Sequence, residues 1–258
     1  MKTPSVYVPG EARFPRILAY HEVSPQFQLG ITSISPRRFR DHLDFLVGLG
    51  LSFVPLQGLS ERFPEKAVCL TFDDGYTSFL EHVLPILKDR NLPATLFVIT
   101  DYVGQANDWD VTFGVNRRRH LDWAQIRQIM AAGIEIGSHS TTHRDLTRLA
   151  RSQLISELGE SRKVLENNLS VKITSLALPF GAVNEEVFTC ARSLGYREIC
   201  GGPPKMSGYF AGVLPRLAVY KTDGVRALKR KMEVSLWERS RLRFLQSFSG
   251  GTRLLKSR

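Results

Sequence analysis

Short apolar runs rich in β-branched residues alternate along this chain with longer stretches in which apolar positions recur every three or four residues. The short runs predict buried strands, and the longer stretches predict amphipathic helices that cover them. This alternation is typical of βα units repeated around a parallel sheet. Seven strands are predicted, at residues 17–21, 68–73, 95–100, 134–139, 175–179, 198–201 and 214–220.

Amphipathic helices are predicted between several of these strands, at residues 36–49, 153–169 and 184–194. Phe39, Leu43 and Leu46 share one side of the first, as expected for a helix that covers a sheet. Asn184 is a suitable N-cap for the third, and Gly195 suits its end. The array closes best as an irregular (β/α) barrel of about seven parallel strands, although an open sheet fits the same pattern.

The length and composition fit one domain. A chain of 258 residues with 43% hydrophobic content can bury a full core, and this length is typical of one α/β barrel. We expect this domain at residues 16–221, after an N-terminal extension at residues 1–15. The net charge of +10 predicts attraction to an anionic partner, but does not by itself choose among phospholipid, acidic glycan and nucleic acid.

The C-terminal segment, residues 222–258, holds most of this positive charge. Ten basic and two acidic residues lie between Arg226 and Arg258, and apolar residues interleave with them at roughly helical spacing. The pattern predicts a basic amphipathic helix or tail. One interpretation is a peripheral contact with an anionic membrane surface. The other is a terminal helix packed on the barrel with its charged face in solvent.

Three features predict a cytoplasmic location, in one interpretation at the inner face of the membrane. Pro, Gly, Glu and Arg interrupt the first twenty residues, so no signal-peptide apolar stretch is predicted there. No run of about 18 apolar residues predicts a transmembrane helix. The three cysteines are an odd number in apolar surroundings, which is typical of reduced, buried thiols.

The first candidate for chemistry is a pair of adjacent carboxylates, Asp73 and Asp74, which end the apolar run that begins at Val68. Burying two like charges side by side is costly unless a cation or a proton is shared between them. A polar turn is the alternative, because Asp-Asp-Gly is common in loops.

The second candidate is a pair of histidines, His139 and His143, again where a predicted strand meets a polar turn. If the chain turns helical after His139, the four-residue interval places both imidazoles on one face, close enough to bind one metal ion. Two exposed histidines are the alternative. Catalytic residues of parallel α/β barrels gather at the C-terminal ends of strands, and both candidates are predicted to lie at such ends.

The motifs TFDDG, HSTTH and LPFG, in this order, resemble the successive motifs of the polysaccharide deacetylases, carbohydrate esterase family 4, whose shared unit is the NodB homology domain. The resemblance covers roughly residues 16–220. It implies a metal-dependent hydrolase that removes N-acetyl groups from an N-acetylated glycan in cell-envelope or exopolysaccharide synthesis, with no nucleic-acid partner.

Two other functions stay open beside this one. A deformylase or amidase that acts on a lipid-linked or small sugar would use the same residues. A non-catalytic carbohydrate- or nucleic-acid-binding protein is the alternative from another class. The presence of a carboxylate beside a complete set of metal ligands argues against it, since a binding module needs no base.

The resemblance also implies roles for single residues. Asp73 would be the general base that takes a proton from the attacking water, and Asp74, His139 and His143 would bind a divalent metal ion, Zn²⁺ or another. Three protein ligands leave coordination positions for water and the substrate carbonyl, as a hydrolytic metal site requires.

Substrate contacts are expected on two further segments. The resemblance implies that the backbone N–H of Phe180, between Pro179 and Gly181, is a second donor to the developing oxyanion. Aromatic side chains stack on the faces of sugars, so Tyr102 and Trp109 are candidate substrate contacts, although Trp109 could equally pack its own loop.

The chain departs from the family's pattern at two places. Ala177 stands where the third motif often has the arginine that orients the catalytic aspartate, and Arg216 is the candidate replacement, the alternative being an ordinary surface arginine. No histidine follows His143, although the family's last motif contains the histidine that protonates the leaving amine. His21 ends the first predicted strand and is the candidate general acid, the alternative being a histidine packed at a strand end. His120 is a poorer candidate, because the arginines before it predict a solvated basic loop.

Overall fold

The computed structural model describes residues 16–26, 31–61, 64–106, 118–203 and 210–232. The N-terminal extension, Trp109 and residues 233–258 of the basic C-terminal segment lie outside these residues. Within them the chain forms eleven strands and six α-helices.

The strands are β1 (Ile17–Tyr20), β2 (Glu22–Val23), β3 (Ser33–Ile34), β4 (Ser52–Phe53), β5 (Ala67–Phe72), β6 (Thr95–Val98), β7 (Glu135–Ser138), β8 (Ser175–Ala177), β9 (Glu198–Gly201), β10 (Leu214–Pro215) and β11 (Leu217–Ala218). The helices are α1 (Pro36–Gly48), α2 (Leu84–Asp89), α3 (Trp123–Ala131), α4 (Arg151–Leu169), α5 (Glu185–Ser193) and α6 (Val225–Met232).

Nine strands form one parallel sheet. Eight of them follow one another in the order β10-β9-β8-β7-β6-β5-β1-β11, and β4 pairs with β5 beside this row. The two ends of this row, β10 and β11, are separated in the chain by Arg216 alone. The segment therefore pairs with β9 through its first half and with β1 through its second, and the sheet is nearly closed into a barrel. The predicted (β/α) barrel is confirmed.

The predicted strands differ from the observed ones mainly at their C-terminal ends. His21, Asp73 and His139 each lie one residue beyond a strand that was predicted to include them. At these points the chain leaves the sheet, so their side chains lie at the rim instead of within the hydrogen-bonded ladder. The last predicted strand is divided in two at Arg216.

The helices begin where the local sequence satisfies their first N–H groups. Ser35 caps α1 by accepting a hydrogen bond from the N–H of Arg38, and a proline opens the helix. Asn184 caps α5 in the same way, by accepting from the N–H of Val187. The three helices predicted from the sequence agree with α1, α4 and α5 to within two residues at each end.

Two groups of apolar side chains fill the molecule. The larger one lies between the sheet and the covering helices, where Phe39 of α1 packs against Tyr20 and Phe72 of the sheet. The smaller one combines residues from five strands with two leucines of the segment between β4 and β5, and so fills the barrel interior: Ile17, Leu56, Leu59, Cys69, Phe97, Ala177 and Cys200. All three cysteines are buried and free.

Helix α6 forms most of the described part of the basic C-terminal segment. Ala227, Leu228 and Lys231 are buried against the fold, and the Lys231 ammonium pairs with the buried carboxylate of Asp223. The part that the structure describes is therefore packed on the barrel, and membrane contact by the remainder stays a prediction. Of the helices that are described, none has the length and apolar character needed to cross a membrane.

Candidate metal centre and active site

Strand β5 delivers two carboxylates to the C-terminal rim of the barrel. Alternation along the strand places Asp73 on the inner side with Cys69 and Thr71. Asp74 follows with a φ of 71°, in the left-handed region that Asp tolerates better than most residues, and the chain turns there. Both carboxylates are buried.

Strand β7 delivers the two histidines, but the expected helical turn after His139 is wrong. Ser140 and His143 have φ values of 67° and 59°, so the segment is an irregular turn. The hydroxyls of Ser138 and Ser140 accept hydrogen bonds from the backbone N–H groups of Ser140 and His143, in place of helical carbonyls. The turn still brings the two imidazoles together, with ring centroids 4.8 Å apart.

The Asp74, His139 and His143 side chains converge on one point. Nε2 of His139 lies 3.6 Å and Nε2 of His143 lies 3.8 Å from Oδ1 of Asp74. A tetrahedral Zn²⁺ ion with ligands about 2.1 Å away spaces its donor atoms about 3.4 Å apart. These two distances are close to that spacing, and all three donor atoms lie within 4.8 Å of one another, so they could hold one small divalent ion.

Two further observations fit a metal ion. Within the described residues, Oδ1 of Asp74 is buried and accepts no hydrogen bond, which is costly for a carboxylate oxygen unless a cation is its partner. Nδ1 of His139 lies 2.8 Å from the carbonyl oxygen of Ala177, and because a carbonyl only accepts, Nδ1 carries the proton. The lone pair of this imidazole is therefore on Nε2, which faces Asp74.

The charges of these groups suit the same role. Burial lowers the pKa of His139 and outweighs the opposite effect of Asp73 and Asp74, so the imidazole is neutral and able to ligate. Burial works against ionisation of Asp74, but His21, His143 and His139 together outweigh it and lower its pKa. The Asp74 carboxylate is thus ionised beside the imidazole of His139.

Arg216 forms a bidentate ion pair with Asp73. Its NH1 and NH2 groups lie 2.6 and 2.8 Å from Oδ1 and Oδ2 of Asp73, and both side chains are buried. The guanidinium also stands 5.4 Å from the ring of Phe97 and donates to the hydroxyl of Thr71. Burial opposes ionisation of Asp73, but Arg216, with His139 and His21, holds the pKa of this carboxyl well below its usual range.

His21 stands on the open side of Asp73. Its Nε2 lies 3.9 Å from Oδ2 of Asp73, and 24% of its side chain is exposed. The ring follows the end of β1, which lies next to β5 in the sheet. The structure thus brings both His21 and Arg216 to the same carboxylate.

The third motif lies at the same rim, in a 3-10 turn that follows β8, Pro179–Gly181. Phe180 has a φ of 59°, and its ring stands 4.9 Å from that of His143. Gly181 has a φ of 63°, and a Cβ there would lie 2.4 Å from the backbone of Gly202, so only glycine fits. Phe180 therefore lies beside the metal site.

The sequence model of the family described as "Polysaccharide deacetylase" matches residues 60–199, more than half of the chain. The chain belongs to the polysaccharide deacetylase family. It is 30% identical over 192 residues to the Bacillus subtilis protein named "Putative polysaccharide deacetylase YxkH", in an alignment that covers 72% of this chain and 63% of that protein, less than two thirds of the relative. It is 24% identical over 217 residues to a poly-beta-1,6-N-acetyl-D-glucosamine N-deacetylase of Staphylococcus aureus, covering 77% and 71%.

Two solved structures share the fold. The deacetylase PplD of Streptococcus pyogenes, in complex with acetate, aligns with a TM-score of 0.70 at 22% identity, over 89% of this chain and 99% of that one. IcaB from Ammonifex degensii aligns with a TM-score of 0.71 at 24% identity, over 89% and 98%. At these identities the likeness concerns the fold alone.

Sequence reasoning misjudged His120. The expectation that it lies in a solvated basic loop is wrong, because the ring is buried and its Nδ1 lies 2.8 Å from the backbone oxygen of Asp74. Its neighbour Arg118 is also almost buried and lies 2.6 Å from the carboxylate of Glu22. A run of arginines is normally a solvated surface, so no signal in the sequence pointed to these contacts.

Glu157 of α4 was not singled out either. Its carboxylate accepts hydrogen bonds from the backbone N–H and the hydroxyl of Thr142, and its backbone oxygen accepts from Thr141. These bonds fix the turn between His139 and His143. Tyr102 packs its ring 5.2 Å from that of His120, and its contact with substrate stays a prediction, as does that of Trp109.

Proposed function

We propose that this chain is a metal-dependent N-deacetylase of N-acetylated glycans. One observation carries the proposal: Asp73, clamped in its ionised form by Arg216, stands beside a separate Asp74-His139-His143 set that fits a metal ion. A site that only binds a metal does not need a second carboxylate that is held charged and free of the ion. A hydrolase needs both.

Asp74, His139 and His143 would hold a divalent ion, with Zn²⁺ as our proposal. When bound, it would supply a Lewis acid that polarises the acyl carbonyl and makes water easier to deprotonate. Asp73 takes the proton from the attacking water at whichever carboxylate oxygen faces the cleft, while Arg216 fixes the plane of the carboxylate. The lowered pKa of Asp73 keeps it in the proton-accepting form at neutral pH.

Two further groups complete the proposed reaction. The amine of the sugar leaves only after it gains a proton, and His21 is the group we assign to donate it, because its ring lies beside Asp73 with part of its surface exposed. The backbone N–H of Phe180 is assigned as a donor to the oxyanion, since the residue lies beside His143.

The substrate class rests on the relatives. The Staphylococcus aureus relative is named for a polymer of N-acetyl-D-glucosamine, and we propose a substrate of that class for this chain. A glycan of N-acetylated sugars presents an amide, whose carbonyl and leaving nitrogen suit the arrangement of Asp73, His21 and the metal ligands.

Acetate release from N-acetylglucosamine oligomers by the zinc-loaded chain tests the proposal. We expect activity in the parent, its loss with loss of the metal in His139→Ala, and a loss of about 10²- to 10⁴-fold in Asp73→Asn with the metal retained. His82→Gln, a histidine change on the outer helical layer, is the matched control and should keep activity. Metal binding without acetate release from any acylated sugar would leave a binding protein, and full activity in Asp73→Asn would remove the assigned base.

A further inference from the structure

A short segment lies along the turn that presents the two carboxylates. Residues 118–121 run antiparallel to residues 75–77. The N–H of Thr77 donates to the oxygen of Arg119 at 2.9 Å, and the N–H of Leu121 donates to the oxygen of Gly75 at 2.8 Å. The main chain just after Asp74 is therefore tied to a second segment on the rim.

The side chain of His120 adds a hydrogen bond between the two segments. Its Nδ1 lies 2.8 Å from the backbone oxygen of Asp74. A carbonyl oxygen only accepts, so Nδ1 carries the proton and donates it. The bond holds the peptide group between Asp74 and Gly75, both of which have positive φ values, 71° and 69°.

The surroundings fix the ring in place. The rings of Tyr76 and Tyr102 stand with centroids 4.8 and 5.2 Å from that of His120, and the imidazole is buried. Arg118 anchors the segment a second time through its ion pair with Glu22, the residue that follows His21. The donor is thus held by contacts other than its hydrogen bond to Asp74.

We infer that His120 is a positioning residue for the metal ligand Asp74. Its hydrogen bond fixes the peptide plane of a residue in the left-handed region, and the direction of the Asp74 carboxylate follows from that plane. Oδ1 is thereby kept between the imidazoles of His139 and His143. The inference rests on the proposed function in that it takes Asp74 to be a metal ligand.

Three substitutions separate the hydrogen bond from the packing. His120→Asn keeps an N–H donor two bonds from Cβ, where Nδ1 stands, and His120→Leu has the same branching without a donor. His120→Phe keeps a ring between the two tyrosines without a donor. The readout is the dissociation constant for Zn²⁺, measured by competition with a chromogenic chelator, with thermal unfolding of the metal-free chain as the check on folding.

We expect His120→Leu and His120→Phe to bind Zn²⁺ roughly 10- to 100-fold more weakly than the parent, the effect typical of lost support for a ligand, and His120→Asn to bind close to the parent value. The Asn and Leu pair decides the matter if the Phe variant does not fold. Parental affinity in the Leu variant, or equal weakening in Asn and Leu, would overturn the inference while the proposed function stands. A parent chain that binds no Zn²⁺ would overturn both.

Discussion

Carboxylates are buried or partly buried at both ends of the barrel, with partners of different kinds. At the N-terminal end, Glu135 of β7 accepts hydrogen bonds from the hydroxyls of Thr95 and Ser175, and Glu198 of β9 accepts from the N–H of Gly58. At the C-terminal end, the guanidinium of Arg216 holds Asp73. Neutral donors hold the first pair, and a cation holds Asp73.

The two kinds of partner give opposite pKa shifts. Burial raises the pKa of Glu135, and its hydroxyl partners only partly oppose this. Burial acts in the same direction on Asp73, but the positive charge of Arg216 outweighs it and the pKa falls. The charge of the partner therefore decides the direction of the pKa shift of these two carboxylates.

Arg216→Met is expected to have the largest effect, because it removes the feature that makes the two ends differ. It leaves the Asp73 carboxylate buried without its cation, which should lower the free energy of unfolding by about 3–5 kcal/mol. The pKa of Asp73 should rise, so the acid limb of the rate profile should move to higher pH. Acetate release at pH 7 should fall by about 10²- to 10⁴-fold.

Controls for this change come from both ends. Arg216→Lys keeps the charge without the two-pronged geometry and should lie between Met and the parent in stability and rate. Thr95→Val removes one donor to Glu135 and should cost about 1–3 kcal/mol of stability while acetate release is unchanged. Parental activity in Arg216→Met would show that the two ends do not differ in the way described.

His21→Gln is expected to have an intermediate effect that depends on the leaving group. If His21 protonates the amine, deacetylation of N-acetylglucosamine oligomers should fall by about 10²-fold or more. Hydrolysis of p-nitrophenyl acetate should change little, because nitrophenolate leaves without a proton. An equal loss on both substrates would mean that His21 acts on Asp73 or on the water instead. The two rates are measured on the same zinc-loaded preparation.

The sequence predicted the parts of the molecule that follow a local pattern. Alternation and helical periodicity are local, so the strands around Asp73 and His139 and the cap at Asn184 lie where these patterns place them. The closure of the barrel also followed, since repeated βα units have few ways to close. The turn after His139 could not be predicted in this way, because side-chain hydroxyls accept the hydrogen bonds that backbone carbonyls would accept in a helix.

The support around the site was harder to predict, because its contacts join distant segments. The bond from His120 to Asp74 spans 46 positions, and the ion pair from Arg216 to Asp73 spans 143. Arg216 could be proposed only because this chain has Ala177 where the family pattern often has an arginine. Nothing of that kind pointed to His120, whose arginine neighbours predicted a solvated loop.

Glu135→Gln is expected to have the smallest effect, on the pH dependence of stability at the end away from the site. The raised pKa of Glu135 means that the folded chain binds this proton more tightly than the unfolded chain, whose glutamates titrate near pH 4.3. The resulting stabilisation is complete below about pH 4.3 and is lost as the pH rises through the folded pKa. Glutamine does not titrate. The free energy of unfolding of the variant, measured in urea, should therefore rise relative to that of the parent between pH 4 and pH 8. The rise should be about 1.4 kcal/mol per unit of pKa shift removed.

Asp73→Asn should show the opposite sign in the same measurement, extended to lower pH. The pKa of Asp73 is lower in the folded chain than in the unfolded chain, where it is about 3.9. The stabilisation that ionised Asp73 contributes is therefore present above about pH 3.9 and is lost as the pH falls through the folded pKa. The parent should therefore lose stability on acidification relative to Asp73→Asn, whereas it should gain relative to Glu135→Gln. If both differences had the same sign, the partners of the two carboxylates would not be what separates one end of the barrel from the other.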